Sequence, residues 1–287
     1  MDQRIDELTR RPSVIVGSRQ KRPNLPAGQC PFCPGGLEAP EDYDVRWFVN
    51  RWPAMPEDRC EMVLYTSEHE AEFWTLGHAG ARRVVDLWAD RTAALGARDD
   101  VDYVLVFENR GPEVGATIAH PHGQIYAYAS VPPEPLRELV DGVLDVEHLP
   151  PELIVASAGA WTAWVPEAAV WPYELRLADA EGVGSLTDPT CDRDGLAELL
   201  IDVLARLDQL FDAPMPYMMW FHQRPTDGDE WPGARLHLHI TALYRAPGVQ
   251  RFVASAELGG GITFNPVDPA DAAAALRACS GAPEEHS

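Results

Sequence analysis

Two landmarks recur in this chain at one spacing. Trp47 is followed by Trp164 after 117 residues, and His122 by His239 after the same 117. A matched offset at two separated features indicates duplication of one structural unit. The order of elements repeats with it. In the first half, strand-like residues 47–49 and 62–65 precede a helical pattern over 79–96, a strand at 103–107 and a strand through His122. In the second, 163–165 and 174–177 precede an amphipathic helix over 195–211, a strand at 218–221 and another at 235–244. Residues 14–16 are a further short strand. The expectation is an α+β fold, a pseudo-symmetric sheet whose halves span 1–130 and 131–287 and are not freely hinged.

Net charge narrows the partners. With 45 acidic and 23 basic residues the chain carries −22, which opposes nonspecific binding to nucleic acid or to an anionic membrane. No apolar run is long enough to span a bilayer, and the first residues lack the apolar core of a signal peptide, so a cytoplasmic location is expected. Five cysteines, an odd number, argue against a disulfide framework in that compartment. Any ligand with several phosphates therefore requires a local concentration of positive charge. The densest basic cluster is Arg19-Gln20-Lys21-Arg22, and arginine pairs bidentately with phosphate oxygens.

The stretch from 108 to 128 reads ENRGPEVGATIAHPHGQIYAY. It sets His120 and His122 one residue apart in a strand-like run, so both imidazoles are expected on one face of a sheet. A Gly-rich loop (111–119) leads into them, and Gly123 lacks a side chain beside them, an arrangement that lets a ligand approach the backbone. Histidine serves as nucleophile, acid–base group or metal ligand near neutral pH, although two histidines on a polar strand face need have no role. Cys30-Pro-Phe-Cys33 is a tight turn with two thiols, which suits either a zinc knuckle or a redox pair. No thioredoxin-like strand–helix context follows it, which favours metal.

The sequence His120-Pro-His122-Gly-Gln124 resembles the signature of the galactose-1-phosphate uridylyltransferases, the transferase branch of the histidine-triad superfamily, whose hydrolases typically carry a third histidine where Gln124 stands. The resemblance covers nearly the whole chain and implies two histidine-triad-like motifs in a mainly antiparallel sheet with flanking helices. It implies transfer of UMP from UDP-glucose to a hexose 1-phosphate, galactose 1-phosphate, through a covalent uridylyl-histidine on His122, with Gln124 donating to the phosphoryl group. It also implies a zinc site of Cys30, Cys33, His69 and His120, and a second metal site, zinc or ferrous iron, of Glu138, His222, His237 and His239. Arg19 and Arg22 fall in an Arg-x-x-Arg-Pro element that contacts phosphate, joined by Arg110 as countercharge. Asn50, Asn109 and the backbone amides of Gly115, Ala116 and Thr117 complete the expected nucleotide and phosphate cradle. Arg51 stands where some members carry Asp, which leaves open a related nucleotidyltransferase or phosphorylase with another nucleotide. Arg251, Phe252 and Glu257 are the expected hexose contacts, reached across a homodimer, with the Gly run after Glu257 forming a turn. Residues 129–162 are Pro-rich and shorter than is usual in the family, and 280–287 are expected to be disordered.

Overall fold

In the computed structural model, which describes residues 2–21, 29–142 and 144–279, alternation along each strand decides which side of one large sheet a residue faces. The elements run β1 (Gln3–Ile5), β2 (Pro12–Val14), β3 (Arg46–Val49), β4 (Cys60–Leu64), α1 (Gly77–Gly96), β5 (Tyr103–Arg110), β6 (His122–Tyr128) and α2 (Pro133–Asp141). They continue as β7 (Ile154–Ala158), β8 (Trp161–Trp164), β9 (Leu175–Asp179), α3 (Arg193–Gln209), β10 (Tyr217–His222), β11 (His237–Ala242), β12 (Tyr244–Ala246), β13 (Val249–Gln250), α4 (Ser255–Gly260) and α5 (Pro269–Ala278). Nine strands form one antiparallel sheet in the order β3-β4-β6-β5-β10-β11-β9-β8-β7. The segment 280–287 lies outside the described residues.

Apart from the edge strand β7, that order reads the same from both sides of the β5–β10 junction. β3, β4, β6 and β5 correspond to β8, β9, β11 and β10, and β5 pairs with β10 where the halves meet, with Glu108 opposite Met219. The register tests the landmark spacing residue by residue. His122 stands opposite Leu64 and Leu64 opposite Arg46, whereas His239 stands opposite Arg176 and Arg176 opposite Trp164. The histidines are therefore equivalent, but Trp164 takes the place of Arg46, one residue out from Trp47. Burial agrees, since Trp47 is 40% exposed and Trp164 only 4%.

One face of the sheet carries the main core. In α1 the residues Ala81, Val84, Val85, Trp88 and Leu95 form a buried stripe, and in α3 Leu196, Leu199, Leu200, Val203, Leu204 and Leu207 form another. Both stripes pack on Val63, Val104, Val106, Ile125, Leu175, Leu177, Leu238 and Ile240. Asp192 starts α3 by accepting from the Gly195 amide at 2.9 Å, a cap worth about 1 kcal/mol. The opposite face bears a smaller cluster of Phe32, Ala39, Met62 and Leu64.

Beneath β6 the two halves differ. The Tyr65 hydroxyl donates to Glu108 Oε2 at 2.9 Å and the Tyr217 hydroxyl to Oε1 at 2.7 Å, and burial raises the Glu108 carboxyl to about 7 against those two bonds. A side chain at Gly123 would meet the Tyr65 hydroxyl at 2.2 Å. Gly123 thus faces the helices and makes room for Tyr65; it does not open the backbone to a ligand, as its place in the motif had suggested. By the same register Tyr65, Gly123 and Glu108 become Leu177, Ile240 and Met219 in the second half, an aliphatic replacement for a polar trio. Gly123→Ala is expected to destabilise the protein by about 1–3 kcal/mol, as overpacking does. In urea melts the cost should be smaller in a Tyr65→Phe background, which lacks the colliding hydroxyl. Equal costs in the two backgrounds would mean that this contact does not explain the glycine.

Candidate active site and metal clusters

His120 and Pro121 precede β6, and His122 is its first residue, so the expected shared strand face applies only from His122 onward. His122, Gln124 and Tyr126 then point away from the helices, beside Phe107 and Asn109 of β5. The His122 Nδ1 donates to the carbonyl of His120 at 2.7 Å, which places the ring proton on Nδ1 and the lone pair on Nε2. Phe32, between the two cysteines of the CPFC turn, packs edge-on against the His122 ring with centroids 5.2 Å apart.

These residues border a cavity of about 760 Å³. Arg19, Asn50, Arg51, Asn109, Gly115, Ala116, Thr117, His122 and Gln124 all line it. Arg22 lies outside the described residues. Among the described residues no side-chain hydrogen bond or ion pair engages Arg19, Asn109 or Gln124, so three polar groups converge on the cavity without a protein partner. Asn50 accepts from the Trp52 amide at 2.8 Å, and Arg51 pairs with Glu38 at 2.8 Å. Much of the remaining wall is apolar or aromatic, including Phe32, Phe48, Trp52, Met62, Phe107 and Tyr126. Sequence reasoning passed over these, although Phe107 and Tyr126 stand two places from Asn109 and Gln124 and so share their face.

Two expectations at this cavity are corrected. The Gly115 amide donates to Pro112 at 3.1 Å and the Ala116 amide to Gly111 at 3.1 Å. Both N–H groups close a turn, in which Gly111 and Gly115 take positive φ, and neither is presented to a phosphate. Arg110 neighbours Asn109 on β5 and therefore faces the opposite side, where it pairs with Asp208 at 2.6 Å and Glu72 at 2.7 Å. It supplies no charge to the cavity.

Arg251, Phe252 and Glu257 are also outside it within this chain. Arg251 is buried, donates to Glu257 and lies 4.8 Å from the Trp171 ring centroid, while Phe252 is 73% exposed. The Gly run continues α4 through Gly260 and ends it at Gly261 in the left-handed region, where a turn was expected.

Both expected metal clusters assemble. Cys33 Sγ lies 3.4 Å from His69 Nδ1 and 3.7 Å from His120 Nδ1, and the four ligand atoms of Cys30, Cys33, His69 and His120 lie within 4.8 Å of one another. Tetrahedral zinc with bonds of about 2.0–2.3 Å spaces its ligands by about 3.5 Å, so the set fits. The far nitrogen of His120 donates to the Thr66 carbonyl at 2.7 Å, the outer bond that holds a ligating imidazole in one tautomer. Glu138 from α2, His222 from β10, and His237 and His239 from β11 form the second set. Burial, with His237 and His222 close by, lowers His239 to about 2, so its imidazole is neutral. Its buried Nε2 has no hydrogen-bond partner and lies 3.6 Å from Glu138 Oε1. An orphaned nitrogen facing a carboxylate and two more imidazoles fits a cation.

The chain matches the family profile for the galactose-1-phosphate uridyl transferase N-terminal domain over residues 49–132 and that for the C-terminal domain over 128–280. It is 33% identical to a galactose-1-phosphate uridylyltransferase of Thermotoga maritima, covering 96% of this chain and 98% of that protein. It is 38% identical to one from Streptomyces lividans, over 75% of this chain and 69% of the relative. A solved uridylyltransferase structure superposes with a TM-score of 0.87 at 30% identity, over 97% of this chain and 98% of the other. With the paired motifs, the cavity and the profile matches in place, this chain belongs to the galactose-1-phosphate uridylyltransferase family.

Proposed function

We propose that the protein is a UDP-glucose–hexose-1-phosphate uridylyltransferase that moves UMP from UDP-glucose to galactose 1-phosphate. The observation that carries this reading is the convergence of His122, Gln124, Asn109 and Arg19 on one aromatic-walled cavity whose volume suits a nucleotide sugar. In the first half-reaction His122 Nε2 attacks the α-phosphorus of UDP-glucose. A P–N bond forms, the P–O bond to the β-phosphate breaks, and glucose 1-phosphate leaves. In the second, a phosphate oxygen of galactose 1-phosphate attacks the same phosphorus, the P–N bond breaks, and the imidazole is regenerated with UDP-galactose as product. Two displacements through one nucleophile give ping-pong kinetics.

The His120 carbonyl keeps the proton on His122 Nδ1 through both steps. Gln124 donates its amide to a non-bridging phosphoryl oxygen and, having no basic nitrogen, does not activate water as a histidine there would. Arg19 and Asn109 bind the phosphates. Asn50 contacts the uridine side of the cavity, and Arg51 remains tied to Glu38 until a nucleotide competes for it.

Cys30, Cys33, His69 and His120 would hold zinc in a closed, structural site. Glu138, His222, His237 and His239 would hold a second zinc or ferrous ion, also away from the reacting phosphorus. Arg251, Phe252 and Glu257 would serve hexose recognition in the neighbouring subunit of a homodimer, the two halves of each chain meeting near residue 130.

Intact-mass analysis after incubation with UDP-glucose alone tests the mechanism. The expected result is a UMP-sized adduct that disappears, with UDP-galactose formed, when galactose 1-phosphate is added. An adduct formed from ADP-glucose or a dinucleotide but not from UDP-glucose would assign a different nucleotide. No adduct on metal-replete protein would overturn the covalent mechanism.

A further inference from the structure

The pseudo-symmetry that relates the two H-x-H strands also relates two cavities. Counting back from His122, the candidate active site is lined by Ile118 and Ala116. Counting back equally from His239, a second cavity on the other half is lined by Arg235 and Gly233. The residue opposite His122 across the sheet is Leu64, and the one opposite His239 is Arg176, which also lines the second cavity. Where the first half has Leu64 and Ile118, the second has two arginines.

Among the described residues no hydrogen bond or ion pair reaches the side chain of Arg176 or of Arg235, and Arg176 Nε is buried without an acceptor. In a chain with 45 acidic residues, a half-buried guanidinium such as that of Arg176 would ordinarily have found a carboxylate, whereas Arg235 is exposed to solvent. Arg235 is also given room: its Nη1 lies 1.5 Å from where a Cβ would stand on Gly182, whose φ is +76°. The one carboxylate in the wall, Glu138, is engaged by His222 and His237 and lies near His239. Among the described residues no other carboxylate lines the cavity, whose remaining titratable side chains beside the arginines and Tyr103 are His222, His237 and His239, the imidazoles that with Glu138 form the second candidate metal set.

Its size restricts the ligand. At about 150 Å³ it is well below the roughly 300 Å³ at which small-molecule sites begin, and it is equivalent to about five water volumes. A nucleotide does not fit, whereas a single oxyanion does. We propose that the second cavity is an oxyanion site, built by divergence from a duplicated phosphate-binding cavity, in which Arg176 and Arg235 hold inorganic phosphate. Forked guanidinium donors on a tetrahedral oxyanion are the geometry for which arginine is suited.

Calorimetric titration of the metal-replete full chain with inorganic phosphate tests this, comparing wild type, Arg176→Gln/Arg235→Gln and Arg19→Gln. Wild type should show a phosphate-binding component that the double variant weakens at least tenfold and Arg19→Gln retains, while UMP transfer by the double variant persists. A phosphate isotherm unchanged in Arg176→Gln/Arg235→Gln, or abolished by Arg19→Gln, would overturn the assignment. If the double variant is unfolded at the titration temperature, Arg176→Lys/Arg235→Lys replaces it. That pair keeps the charge and loses the fork, so weaker binding supports the site and equal binding removes it. Glucose 1-phosphate supplies a further arm. Its binding should depend on Arg19 and not on Arg176 or Arg235, and dependence on Arg176 would contradict a site limited to the small ion.

Discussion

Replacing His122 with glycine should abolish the UMP-sized adduct and lower transfer from UDP-glucose by on the order of 10⁶-fold, the scale seen when a covalent nucleophile is removed from an intact site. The loss falls on kcat, because the cavity wall and the groups proposed to bind the phosphates stay in place. Arg19, Asn109 and Gln124 come from other positions, and Phe32 is held by its own turn. Substrate binding, measured by equilibrium titration of UDP-glucose, should therefore change by far less than the rate. His239 is the internal control. It occupies the equivalent place in β11 with an imidazole of the same type, yet it is 6% exposed, stacked on Trp220 at 4.9 Å and drawn into the second metal cluster. His239→Gly should leave the adduct intact. An adduct that survives in His122→Gly, or one lost only in His239→Gly, would place the nucleophile elsewhere.

The difference between these two histidines was only partly legible in the sequence. The 117-residue spacing located them and the duplicated order of elements around them, and the sheet confirms both. The tryptophan landmark agreed in number but is one residue out in register, because a spacing counted through loops does not fix the pairing that hydrogen bonds impose. Alternation, applied more strictly, would have separated Arg110 from Asn109, since neighbours on a strand face opposite sides. It would likewise have sent Gly123 to the helical face with Ile125. What alternation alone does not give is the Tyr65 hydroxyl that makes Gly123 necessary, a contact between residues 58 apart in the chain. The helix Pro133–Asp141, which brings Glu138 to the second cluster, was hidden by proline density, although proline is well placed in a first turn. The roles of Gly115 and Ala116 were misread for a related reason: a Gly-rich loop resembles an anion nest until its amides are traced to their acceptors.

Disrupting the candidate Cys/His metal set should have the second large effect, and it should reach the chemistry through the backbone. Cys33→Ser removes a thiolate from a set whose other members lie on three separate segments: the turn at Cys30, the loop at His69 and the residue before Pro121. The metal would cross-link these segments, so its loss belongs with the few single changes that cost more than about 4 kcal/mol. In a chain of this length that is a fall of roughly 10 °C in Tm, read by calorimetry beside metal content. The catalytic consequence follows from two contacts. The carbonyl that orients His122 belongs to His120, itself in the cluster, and the ring that packs on His122 belongs to Phe32, between the two cysteines. A freed turn therefore loosens both the tautomer and the position of the nucleophile. Adduct formation should slow by about 10–100-fold even at temperatures where Cys33→Ser remains folded, as it does when outer contacts of a site are removed. Two results would separate these ideas. A variant with normal Tm and full metal content would reject the ligand set, whereas a destabilised variant that forms adduct at the normal rate would confine the cluster to folding.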